Sequence, residues 1–284
     1  MVVTRPRPVL VTGVPRSGTT WLARLLALSP GSCMTGREPM NPRGRQFALA
    51  GTLSGWTRLD APTPGQRRAL RRTYRGWEPR TYSRFGTRQW AGPLPWSRVV
   101  VKDPFALLSV PTVVETTDAL PVLVYRHPGA VLASYRRMGW RADVDELHRL
   151  LPQTVPAGDA GDDVAAMGRF WAWSHQLFLD GQPDDAVVVD HGALARAGVA
   201  GVRRLVDRCG LPWGGRLVRE VRGWGGREAR GEAPTGVLHD FGRSPDAVAD
   251  SWRAHLGADE VDRLERMTGA VHAALRELSV PRAA

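Results

Sequence analysis

Apolar runs recur along the chain with amphipathic stretches between them. Val9–Val14 (VLVTGV), Arg98–Lys102 (RVVVK), Pro121–Tyr125 (PVLVY) and Ala186–Val189 are short, rich in β-branched residues and almost without polar alternation. Such runs predict strands buried on both faces, the mark of a parallel sheet covered by helices. A further short extended piece is expected at Ser32–Thr35. Helical spacing follows the first run at once: Trp21, Leu22, Leu25 and Leu26 share one face of a helix over Thr19–Leu28. Further helices are expected over Pro64–Gly76, after Lys102 (broken by Pro111), over Ala130–Met138, and over Val164–Leu179 with Phe170, Trp171, Trp173 and Phe178. The remainder reads as helical apart from a Gly-rich loop at 223–245, and residues 156–163 (PAGDAGDD) read as a linker. There are no internal repeats. The pattern predicts one α/β domain over residues 1–284, a P-loop-like central parallel sheet flanked by helices. Residues 40–97, rich in Gly, Pro, Trp and Arg, form an insertion or lid over the sheet edge.

Composition narrows this picture. The 284 residues suffice for one large α/β domain, and 43% hydrophobic content excludes a disordered chain. The net charge is +11, carried by arginine; Lys102 is the only lysine. A GC-rich bacterial coding habit accounts for a solvated arginine surface, and an anionic partner is the other reading. Cys33 and Cys209 stand in no metal-ligand spacing, and two cysteines are too few for a disulfide framework, so a reducing cytoplasm is the default expectation. No leader-like apolar segment precedes the first strand, and no apolar run approaches the ~20 residues that span a bilayer.

The candidate chemistry begins at the first strand–helix junction. Gly13-Val14-Pro15-Arg16-Ser17-Gly18-Thr19-Thr20 places small residues, hydroxyls and one cation at a helix N-terminus, a layout that holds phosphate. Thr19 stands where a Walker loop has its lysine, which argues against nucleotide hydrolysis through a metal. Arg16 supplies a fixed fork for an anion. A second anion site follows the strand at Tyr125: Arg126-His127-Pro128-Gly129 opens a helix, and Ser134 lies two turns in. Two anion sites at neighbouring strand ends fit a nucleotide with two separated phosphates.

PRSGTTWL, followed 110 residues later by VYRHPGAVLASY, resembles the sulfotransferases that use 3′-phosphoadenosine-5′-phosphosulfate. The resemblance runs from Val9 to Ser251-Trp252-Arg253 and is weakest over 40–97. It implies that Arg16, Ser17, Gly18, Thr19 and Thr20 bind the 5′-phosphosulfate, that Arg126 and Ser134 bind the 3′-phosphate, and that Pro15 and Trp21 belong to the same cofactor site. Arg at position 16 is similar to the carbohydrate and tyrosylprotein branches; the cytosolic branch has Lys there. Lys102-Asp103-Pro104-Phe105 also resembles the tyrosylprotein branch, in which such a lysine stabilises the transferring group. His127 stands where the family has Asp more often.

Glu38, in Arg37-Glu38-Pro39 after the second extended piece, is the candidate general base; resembling branches carry a catalytic glutamate in this region. Acceptor hydroxyls have high pKa values, so a positioned carboxylate takes the proton during transfer. A surface pair with Arg37 or Arg43 is its structural alternative. Asp103 is the rival base, with an ion pair or helix cap as its structural role. Lys102 is either a snorkelling strand-end lysine or a compact donor to the reacting group. The catalytic set is therefore Glu38, Lys102 and Arg16.

Trp171 and Trp173 read as packing, whereas Trp56, Trp77, Trp90 and Trp96 are either packing or rings for an acceptor. His148, His175, His239, His255 and His272 read as surface or core residues, and no spacing argues for a metal. The run Arg67-Arg68-Ala69-Leu70-Arg71-Arg72 is a solvated helix face or a contact for an acidic acceptor; no groove-reading motif argues for nucleic acid. The expected activity is metal-free sulfuryl transfer to a small-molecule or glycan hydroxyl: sugar, glycolipid, peptide tyrosine or secondary metabolite. A nucleotide-binding pseudoenzyme and a P-loop small-molecule kinase are the alternatives. The first would suit loss of Glu38, Lys102 or Arg16, and the second a Walker lysine.

Overall fold

The computed structural model describes residues 5–42, 48–150, 161–224 and 249–280. Val9–Thr12 (β1) is buried at every position, as a strand covered on both faces must be. Ser32–Met34 (β2), Arg98–Lys102 (β3), Leu120–Tyr125 (β4) and Val187–Asp190 (β5) join it in the order β2-β3-β1-β4-β5, every pairing parallel. Val11 faces Lys102 on one side and Val122 on the other, and Tyr125 faces Asp190. The carboxyl ends of the four longer strands therefore share one edge, where ligands of open parallel sheets bind.

Alternation along β1 divides the core. Val9 and Val11 pack with α1 (Thr19–Leu26) and, through Leu194, Val202, Leu205 and Leu217, with two helices that follow β5 (His191–Arg208 and Gly215–Arg222). Leu10 faces the other layer, built from α2 (Pro64–Tyr74), α3 (Val110–Thr117), α4 (Pro128–Met138), α5 (Val144–Leu150), α6 (Asp163–Gly181) and, after α7 (His191–Arg208) and α8 (Gly215–Arg222), the long α9 (Ala258–Leu278). Among the described residues no helix is long and apolar enough to cross a membrane.

The expectation at Pro111 changes, the helix expected over Pro64–Gly76 is present, and the choice left open at Trp56 is settled. The helix expected to break at Pro111 is a 3₁₀ segment, Pro104–Ser109, running into α3; Pro111 falls in the first turn of α3, where a missing N–H leaves no bond unmade. Within 40–97, α2 connects β2 to β3, is closed by a Thr63/Gln66 capping box, and buries Leu70 and Tyr74. Trp56 is 4% exposed and packs on Phe105 and Phe170, so it is a core ring and offers no face to an acceptor. Trp77, Trp90 and Trp96 are exposed. Most of the 156–163 linker, the 223–245 loop beyond Trp224, Arg43 and His239 lie outside the described residues.

Candidate active site

The first loop leaves β1 at Gly13, whose φ of +146° and missing side chain are both required: a Cβ would lie 2.1 Å from the carbonyl oxygen of Val124 on β4. Ser17 N–H donates to Val14 O at 3.1 Å and closes the turn, with Arg16 at φ +74° and Gly18 at +97°. Gly18 caps α1 without a side-chain bond, leaving the helix N-terminus open toward the loop. Ser17 and Thr19 are buried, and Ser17 Oγ has no hydrogen-bond partner among the described residues. Pro15, Arg16, Thr20 and Trp21 are half-buried at the mouth.

The two anion motifs, separated in sequence, touch in space. Arg16 Nε donates to Ser134 Oγ at 3.0 Å, and Arg137 donates to the same oxygen at 3.4 Å. The Arg16 guanidinium lies 5.8 Å from the Trp140 ring centroid, within reach of its π face. Arg126 Nη1 donates to Arg16 O at 3.4 Å, and its own carbonyl accepts from Trp171 Nε1 at 2.9 Å. Arg16 and Arg137 thus converge on one buried serine, and Arg126 joins them through the Arg16 carbonyl. Burial, and then Arg137, lowers the pKa of Arg16 from its ordinary value, so this cation is held where an anion would relieve it. Beyond Arg126, a cleft of about 260 Å³ is lined by His191, Arg196, Trp252 and Arg253 among others.

His127 caps α4 through Nδ1, which accepts from Gly129 N–H at 3.2 Å. Its ring stacks on Trp252 at 4.4 Å, and burial, then His272 and Arg253, pushes its pKa down to about 4. A neutral imidazole therefore performs the capping that an aspartate could perform, without a negative charge beside Arg126.

Glu38 and Lys102 meet at the opposite side of β1. Lys102 Nζ donates to Glu38 Oε1 in an ion pair, and Asn41 Nδ2 donates to Oε2. Both side chains are largely covered, at 13% and 17% exposure, so the pair is not a solvated surface contact. Asp103 is fully buried; it caps the 3₁₀ segment through Phe105 N–H at 3.1 Å and accepts from Met40 N–H at 2.6 Å. Burial, then the nearby charge of Glu38, raises its pKa to about 8.

His191, Arg137 and Trp140 escaped the sequence reading. His191 is the residue after β5, and its ring lies 4.7 Å from Trp21. A Cβ on Gly18 would lie 2.4 Å from His191 Cδ2. Burial, then Arg126 and Arg196, holds the imidazole well below its usual pKa, and its Nδ1 lacks a partner among the described residues. The signal was available: His191 follows an apolar strand at the same sheet edge as Arg126. Arg137 and Trp140 carried no such mark, because only the packing of α4 beside the first loop brings them in. Among the described residues no cluster of His, Cys, Asp and Glu could hold a metal ion.

An open loop without a Walker lysine and a carboxylate–ammonium pair thus share one edge of the sheet. The profile of the sulfotransferase family matches residues 8–215, and the chain belongs to that family. It is accordingly an enzyme of sulfuryl transfer. No curated protein matches the chain significantly. Similar solved structures include the sulfotransferase domain from the curacin biosynthetic pathway (16% identity, 93% of this chain and 98% of that chain, TM-score 0.47). Another is the sulfotransferase domain of the Synechococcus PCC 7002 olefin synthase (17%, 93% and 95%, 0.48). A third is mouse sulfotransferase SULT7A1 complexed with PAP (12%, 96% and 89%, 0.46).

Proposed function

We propose that the chain moves a sulfuryl group from 3′-phosphoadenosine-5′-phosphosulfate to an acceptor hydroxyl, with Glu38 as general base. The observation that carries this is the covered Glu38–Lys102 pair at the strand edge beside the first loop. The residues present fit the nucleotide. Ser17 Oγ is a buried donor awaiting an acceptor, α1 opens its N-terminus at Gly18, and Arg16 and Arg137 meet at Ser134 with Arg126 bonded to the Arg16 carbonyl. In this reading the loop from Pro15 to Thr20 holds the 5′ end, Arg126 and Ser134 hold the 3′-phosphate, and Trp21 offers a ring face to the base. The bound nucleotide supplies the sulfuryl group.

The chain's own groups perform the rest. Arg16 and Lys102 neutralise charge on the transferring oxygens, as cations do in phosphoryl transfer. Lys102 must turn away from Glu38 to do so. Glu38 then loses its counter-cation, and a carboxylate without a neighbouring cation is a stronger base. Engagement of Lys102 by the donor thereby prepares Glu38 to take the acceptor proton.

Glu38→Gln keeps the volume and removes the base. Its kcat should fall about 10²–10⁴-fold, with affinity for adenosine 3′,5′-bisphosphate unchanged. The loss should shrink across a series of phenols of decreasing pKa. Near-normal turnover of a weakly acidic acceptor would exclude Glu38 as the base.

A further inference from the structure

Asp103 stands where β3 leaves the sheet, next to Lys102, and a buried carboxyl must have its oxygens satisfied. Different segments satisfy them. Oδ1 accepts from Phe105 N–H, two residues on, while Oδ2 accepts from Met40 N–H, 63 residues earlier in the chain. Its backbone is tied to β1 as well: Asp103 N–H donates to Val11 O at 3.0 Å, and Thr12 Oγ1 donates to Asp103 O at 2.9 Å. One residue therefore joins the end of the central strand, the start of the 3₁₀ segment and the loop that carries Glu38.

That loop needs an anchor. Residues 35–42 belong to no helix or strand. Met40 is separated from Glu38 only by Pro39, whose ring fixes φ and removes one soft torsion between them. A helix cap uses one oxygen on one local N–H; the second oxygen of Asp103 is spent on Met40, and capping does not explain it.

We propose that Asp103 is a positioning residue for the general base, anchoring Met40 so that Glu38 stays at the acceptor hydroxyl when Lys102 turns to the donor. The proposal rests on the reading of Glu38 as base. It gives Asp103 a role distinct from proton transfer: the carboxyl is closed off by the chain itself and never meets the acceptor.

Asp103→Ser separates the two bonds, since a serine hydroxyl still caps Phe105 N–H but is too short to hold Met40 as well. The test is a double-mutant cycle with Glu38→Gln, reading kcat, acceptor KM and bisphosphate affinity. Alone, Asp103→Ser should lower kcat about 10–100-fold, the scale of a misplaced reacting group, with bisphosphate affinity within about twofold. In the Glu38→Gln background it should cost less than about threefold, because a residue that acts through another contributes nothing once the other is gone. Acidic phenols should restore Asp103→Ser turnover as they restore Glu38→Gln.

Additive losses, unchanged kcat in Asp103→Ser, or a parallel fall in bisphosphate affinity and thermal midpoint would overturn the proposal. Asp103→Asn, which keeps one acceptor oxygen, enters the same cycle if the serine variant does not fold; failure of both to fold assigns Asp103 to stability alone and overturns it too. If Glu38→Gln alone turns over normally, the base reading has failed, which the cycle distinguishes from failure of the anchor.

Discussion

Arg126 has a structural contact and a cleft-facing side, with different consequences. Its guanidinium reaches Arg16 O, which steadies the first loop, and it faces the cleft shared with His191 and Arg196. If it also reads the 3′-phosphate, Arg126→Ala should weaken adenosine 3′,5′-bisphosphate by about 2–4 kcal/mol, the loss of a charge-assisted bond in a covered site. Calorimetric titration with a 3′-dephosphorylated analogue should show little change; equal losses for both ligands would limit Arg126 to its contact with the loop. At this scale the sequence was legible where a residue type is tied to a strand end. Arg16, Lys102 and Arg126 were singled out that way, and the fold sets all three at the carboxyl edge of the sheet. The bond from Arg16 to Ser134 was not, because it spans 118 residues and depends on how α4 packs. Trp56 was left undecided for a related reason: in a Gly- and Pro-rich stretch there is no periodicity to say which way a ring points, and this one points into the core.

The elements themselves were read within a residue or two wherever a strand was a run of buried β-branched residues: β3 matches its expected bounds, and β4 begins one residue early. Pro111 was misplaced because proline breaks a helix interior but starts a helix equally well, and only the 3₁₀ segment before it settles the choice. The end of β3 also predicts how stability changes with pH. Asp103 faces Glu38, Lys102 and the buried Tyr74 ring, and its folded pKa of about 8 lies above the value of about 4 for an unfolded aspartate. The folded state therefore binds more protons between these values. The contribution is full below about pH 4 and is lost as pH rises through 8. Urea midpoints of the native chain should fall more steeply between pH 5 and 8 than those of Asp103→Ser. Parallel curves would mean that Asp103 does not titrate in this window.

Across the whole molecule, the doubly covered parallel sheet was the most legible feature, since continuous apolar strands separated by helices admit few other architectures. The path of 40–97 was the least legible: α2 lies in the crossover from β2 to β3 and adds to the core, which its arginine-rich face conceals. That richness in arginine has its own consequence. All but one of the 39 Lys and Arg side chains are arginine, and the exception is Lys102. A lysine-specific endoprotease thus has a single cleavable bond, Lys102–Asp103, at the carboxyl edge of the sheet where β3 is hydrogen-bonded to β1. Cutting requires that edge to open, so the yield of fragments 1–102 and 103–284 reports opening directly when reclosing is faster than cleavage. Adenosine 3′,5′-bisphosphate should slow the cut by about the factor 1 + [L]/Kd. A rate indifferent to both ligand and urea would show that the bond is reached without opening the sheet. Otherwise this chain carries its own built-in gauge of how often its catalytic centre comes apart.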